Sequence, residues 1–135
     1  MSDWPGVEDR PAREALLQAL AEAVHIWQAH GLSSAEGVVA PFAGKDEARA
    51  VEVLSEAIQT PEQQQTLRLI LGNCLSGLVH STLVALDGGS SAPTLDLRTA
   101  EEGKSLGVGL HEEWPDLDPA EATDREPWRL PHRLP

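Results

Sequence analysis

A chain of 135 residues, 41 % of them apolar, suffices for one modest core, and it carries 22 acidic against 10 basic residues. A formal charge of −12 repels nucleic acid and anionic membrane surfaces and favours a basic partner or a cation. Cys74 is the only cysteine, which excludes an intramolecular disulfide, and MSDWPGVEDRP lacks the pattern of a signal peptide, so the expected compartment is the cytoplasm.

The first helix is expected in PAREALLQALAEAVHIWQAH. Pro11 suits a first turn and Glu14 the positive end of the dipole, while Leu17, Leu20, Val24 and Trp27 recur at helical spacing as a core-facing stripe. Gly31 is the expected left-handed C-cap. His25 and His30, five apart, diverge around the helix and make poor ligands for one metal. Residues 33–44 then read as a connector whose Val38, Val39 and Phe42 tuck into the core.

A second helix follows in KDEARAVEVLSEAIQ, with Ala50, Val51, Leu54 and Ile58 on one face and Asp46 or Glu47 near its start. Thr60-Pro61-Glu62-Gln63 has the form of a capping box, with Thr at N-cap, Pro at N1 and Gln at N3. The third helix therefore starts at Pro61 and runs to about Leu86, roughly 39 Å at 1.5 Å per residue. It is apolar on nearly every side from Leu67 onward, which predicts a central helix surrounded by other elements, with Cys74 buried. Gly72 and Ser76 form a small-residue notch, and Asp87-Gly88-Gly89 ends the helix. Residues 67–86 approach the length of a membrane span, but Arg68, Asn73 and His80 interrupt them and no basic cluster flanks them, so a membrane partner is not expected.

Beyond GGSSAP the period shortens to alternation. Leu95 and Leu97 oppose Asp96 and Arg98 in TLDLRT. Leu106, Val108 and Leu110 oppose Gly107, Gly109, His111 and Glu113 in LGVGLHEEW. With AEEGK as the turn, this predicts a β-hairpin whose leucine face lies on the third helix. The expected fold class is thus α+β: three helices packed with a C-terminal β-hairpin in a single domain over 1–114. Residues 115–135, holding half of the chain's ten prolines, form an extended tail pinned by Trp114 and Trp128 or disordered.

The polar residues admit three functional readings. The first is a non-enzymatic, acidic interaction protein that binds a protein partner or itself, without cofactor, nucleic acid or membrane. Its binding residues are His80, Asp87, Arg98, Gly107, Gly109, His111 and Glu113, where bare glycines on a strand face let another backbone approach. The alternative is a metal-binding protein or small metal-dependent hydrolase that holds a divalent ion with His80, Asp87, His111 and Glu112. HEEW lacks the second histidine of H-E-x-x-H, however, and no nucleophile elbow or phosphate loop is present. The third reading is a small-ligand domain with a pocket between the central helix and the hairpin.

The run LVHSTLVALDGG, a hairpin and a closing LHEEW resemble small uncharacterised bacterial proteins with a helix–hairpin C-terminal half, over roughly residues 61–114. The resemblance implies that arrangement and no catalytic roles. In size and acidity the chain also resembles immunity-type accessory proteins, which implies a protein partner.

Overall fold

A computed structural model of the chain describes residues 6–89 and 93–117, which are mostly helical and contain no β-strand. Helix α1 spans Arg10–Ala35, α2 Lys45–Ala57, α3 Pro61–Leu86 and α4 Leu110–Glu113, and a 3-10 turn follows over Trp114–Leu117. The described residues fall into two units by their internal contacts. One comprises the chain up to Ala23 and from Ser76 onward, and the other is Val24–Leu75.

Local chemistry sets the helix ends. Asp9 caps α1, its Oδ1 accepting the Ala12 N–H at 3.0 Å. α1 does not stop at Gly31 as expected. It continues to a Schellman turn, in which Val38 N–H reaches Ser33 C=O, Gly37 N–H reaches Ser34 C=O, and Gly37 takes φ +88°. Gly31 stays helical for another reason: a Cβ there would lie 2.5 Å from Leu71 Cδ1, so its missing side chain makes room for α3. The Thr60 capping box forms as expected. Thr60 Oγ1 accepts the Gln63 N–H at 3.1 Å, while Gln63 Oε1 accepts the N–H groups of Thr60 and Gln59. α3 ends in a second Schellman turn at Gly88, φ +91°.

The expected α+β fold with its β-hairpin is overturned. Pairing starts, with Thr99 N–H to Lys104 C=O at 2.9 Å and Leu106 N–H to Leu97 C=O at 2.8 Å, but only the isolated bridge Arg98–Ser105 results. Gly107 and Gly109 both sit at φ +79°, outside the extended region that a ladder requires. Arg13 then takes the carbonyls of Leu106 and Val108, so these acceptors go to a side chain instead of a partner strand. The leucine alternation therefore serves an irregular segment, where Leu106 and Leu110 are buried and Val108 is exposed. HEEW lies in helix α4 and its turn, and not at a strand end.

In the first unit Leu17, Ala21, Leu83, Leu106, Leu110 and Trp114 are buried. The notch at Ser76 is filled by an indole: Trp114 Nε1 donates to Ser76 Oγ at 3.1 Å, and both groups are buried.

The Val24–Leu75 unit has a thin core. Its buried apolar residues are Val24, Ala29, Ala35 and Val51, with His25 and Gln28 the buried polar ones, and Gln28 Nε2 donates to Arg68 C=O at 2.7 Å. Trp27, expected in the core stripe, is 60 % exposed, and Val38, Val39 and Phe42 are exposed instead of tucked in. Cys74 is exposed too. Among the described residues α3 is not surrounded by other elements: only 17 % of its most apolar window is buried, although it is long and apolar enough to cross a membrane by length and composition. Trp128 and nearly all of the expected tail lie outside the described residues, while Pro115 begins that stretch within the 3-10 turn.

Candidate functional site

The first unit brings His80, Gly109, His111 and Glu112, all singled out from the sequence, to the neighbourhood of the Asp87 carboxylate. Asp87 sits just past α3, its side chain 6 % exposed. It accepts the backbone N–H of Gly109 and of His111, both at 3.1 Å, and its Oδ2 lies 2.6 Å from His111 Nδ1. The geometry explains the placement. Gly109, the N-cap of α4, has no side chain to satisfy the first N–H groups of that helix, so Asp87 acts as a cap in trans. His80, an exposed residue of α3, meets His111 edge to face with ring centroids 6.0 Å apart. Glu112 Oε1 lies 3.9 Å from His111 Nε2 and is exposed.

The remaining predicted residues lie elsewhere in that unit. Glu113 is bound on both oxygens, by Arg10 at 2.6 Å and by Arg13 Nε at 2.8 Å. Burial pushes its carboxyl up, but hydrogen bonds from the two guanidiniums outweigh this and hold it below the usual carboxylate value. Arg98 pairs with Asp96 at 2.7 Å and with Glu8 at 3.4 Å. Ser105 Oγ donates to Asp96 Oδ1 and accepts the Gly107 N–H; that short hydroxyl bond, and then Arg98, lower the Asp96 carboxyl. Glu8, Asp96, Arg98, Ser105, Gly107 and Val108 help to line an open groove of about 380 Å³.

Chemically these groups serve one another. The Asp87 carboxylate is committed to three donors, and among the described residues no group of three His, Cys, Asp or Glu side chains is placed to hold a metal ion. His80, Asp87, His111 and Glu112 therefore meet at one end of α3 as a capping knot. Arg13, the best-connected side chain of this unit, carried no signal in the sequence beyond its helical position.

The second unit carries a different kind of feature. Eight of its large apolar side chains are exposed: Ile26 and Trp27 on α1, Val38, Val39 and Phe42 in the connector, Val53 on α2, and Leu69 and Ile70 on α3. Between the end of α2 and the start of α3, Ile58, Glu62, Gln63, Thr66, Leu67 and Ile70 line an apolar groove of about 300 Å³. Residues 63–74 of α3 contain a single charge, Arg68, in a chain of net charge −12, and Glu62 is the one carboxylate lining the groove. Comparison with protein-family models, with curated proteins and with solved structures gave no match.

Proposed function

We propose that the protein is a non-enzymatic interaction module whose Val24–Leu75 unit presents its uncovered apolar face to another protein. One observation carries the reading. That unit buries only Val24 and Val51 among apolar residues larger than alanine, yet exposes eight large ones. Surface patches of this kind mark interaction sites, and a unit with so few buried apolar side chains gains stability when a partner covers the rest. The polar residues support the same reading, because the carboxylates that a catalytic or metal centre would use are taken up in capping and ion pairing.

The test is native mass spectrometry of the protein recovered gently from the cells that make it, beside the variant Ile70→Glu. The expected result is a heavier assembly of defined stoichiometry that the variant loses while keeping its helical circular dichroism. A bare monomer in both samples, or recovery of the wild type only with lipid, would overturn the reading.

A further inference from the structure

The proposed interaction face contains both a knob and a hole, and we propose that its partner is a second copy of this chain, Phe42 of each copy entering the groove between α2 and α3 of the other. This rests on the interaction reading above and names its partner.

The knob is the chain's only phenylalanine, 99 % exposed. It does not hang on a loose strand. Ala43 N–H bonds back to Ala40 C=O at 3.0 Å, so Ala40-Pro41-Phe42-Ala43 is a closed turn with Pro41 at its second position and the aromatic ring at its third. Such a turn holds the ring outward before any partner arrives, which reduces the ordering cost of binding. The hole is the apolar groove of about 300 Å³ beside Ile58, Thr66, Leu67 and Ile70, roomy enough for one ring. Phe42 is too exposed to occupy that groove in its own chain.

Charge selects the occupant. A basic protein would be recognised by carboxylates, but residues 37–44 carry no charge at all and residues 63–74 carry only Arg68. Two chains of net charge −12 repel unless they meet where acid is sparse; the turn carries none, and Glu62 is the one carboxylate lining the groove. Area points the same way. At about 150–250 Å² per aromatic side chain, Trp27 and Phe42 expose roughly 300 Å² together. The unit's other six exposed apolar side chains add to this, against roughly 800 Å² per partner in a standard interface. A knob and a hole carried by the same unit suit an isologous pair, in which a two-fold axis makes each contact twice.

The experiment is sedimentation-velocity ultracentrifugation of the purified full chain over about 1–100 μM, the range in which a weak homodimer dissociates. Phe42→Asp removes the knob, and Thr66→Trp fills the hole from an exposed position. The wild type should dimerise, each variant should do so about 30-fold more weakly, as expected for loss of an anchor residue, and the two variants mixed should recover dimer through the one intact contact. That rescue separates a specific contact from misfolding, because two misfolded proteins would not restore each other. A monomeric wild type, variants that dimerise like the wild type, or growth past the dimer with rising concentration would each overturn the pairing. A wild type that is monomeric when pure yet belongs to a heavier complex in its own cells would sink this inference and leave the interaction reading standing. Flotation with uncharged phosphatidylcholine vesicles that depends on Phe42, with no dimer formed, would replace the second copy by a lipid surface.

Discussion

Arg13 and Glu113 lie 100 residues apart in the chain, yet Arg13 Nε is 2.8 Å from Glu113 Oε2, and the arginine side chain is fully buried. The same guanidinium donates to the carbonyls of Leu106 and Val108 at 3.0 and 2.8 Å. One side chain of α1 thus replaces the partner strand that this segment would otherwise need.

Arg13→Ala should cost about 3 kcal/mol, because it leaves the Glu113 carboxylate with Arg10 alone and takes the donor from two backbone carbonyls. Replacing both members, Arg13→Met with Glu113→Leu, should recover only part of that loss. An ion pair exchanged for apolar groups can be neutral, but here the two carbonyls still lose their donor. Urea denaturation of the single and double variants decides this, and full recovery in the double variant would show that the carbonyl contacts contribute little.

Asp87→Ala should cost about 2–3 kcal/mol, since two backbone N–H groups and the His111 ring lose one shared acceptor. His111→Ala removes only the ring contact and should cost about 1 kcal/mol. The order of the two midpoints in chemical denaturation is the readout. Equal losses would mean that the ring, and not the cap on α4, holds the knot together.

Acid should destabilise the fold in two steps. The His25 ring is pushed below its ordinary 6.5, first by burial and further by Arg68, against a hydrogen bond with Gln28. The unfolded chain therefore binds more protons there once the pH drops below about 6.5, and stability falls. Glu113 is held below its ordinary 4.5, so its contribution is complete above that value and is lost as the pH falls through the lower folded value. Thermal midpoints between pH 7 and 3 should fall in both windows, and Glu113→Gln should shrink the lower step, to which the lowered Asp96 carboxyl also contributes. A flat profile between pH 7 and 5 would contradict the assignment to His25.

The helix ends give a fourth test. Gly37→Ala forces a side chain into a left-handed position and should cost about 1–2 kcal/mol. Thr60→Ala, which removes half of the capping box, should cost about 1 kcal/mol. Little change at Gly37 would place the end of α1 elsewhere.

Local signals in the sequence suffice where a few adjacent residues decide the outcome. The Thr60–Gln63 box and the Gly88 stop depend on chemistry within five or six positions, and both ends of α3 follow from them. The hairpin failed because alternation reports burial and not pairing. Leu106 and Leu110 are buried as a strand face would be, but glycines at positive φ and an arginine from the other end of the chain decide the backbone. Gly31 misled for a similar reason, its missing side chain answering to Leu71, forty residues on. The meeting of His80, Asp87 and His111 was visible as residue types, while the role of Asp87 as a cap for α4 required knowing that α4 exists. The apolar character of α3 was plain. Its exposure was not, because hydropathy alone cannot distinguish a helix covered by its own chain from one left exposed.

The span between Arg13 and Glu113 also sets an order of events at synthesis. At about 5–20 residues per second, the intervening 100 residues take on the order of 5–20 s to appear. Throughout that interval Arg13 has neither its carboxylate nor the carbonyls of Leu106 and Val108. The Val24–Leu75 unit, continuous in sequence, is complete long before the unit that encloses it in the chain. A nascent chain therefore displays the exposed apolar side chains of that unit, Phe42 included, before Arg13 has its ion pair with Glu113. Neighbouring chains on one message then share a window in which that face is exposed before the rest of the fold is finished.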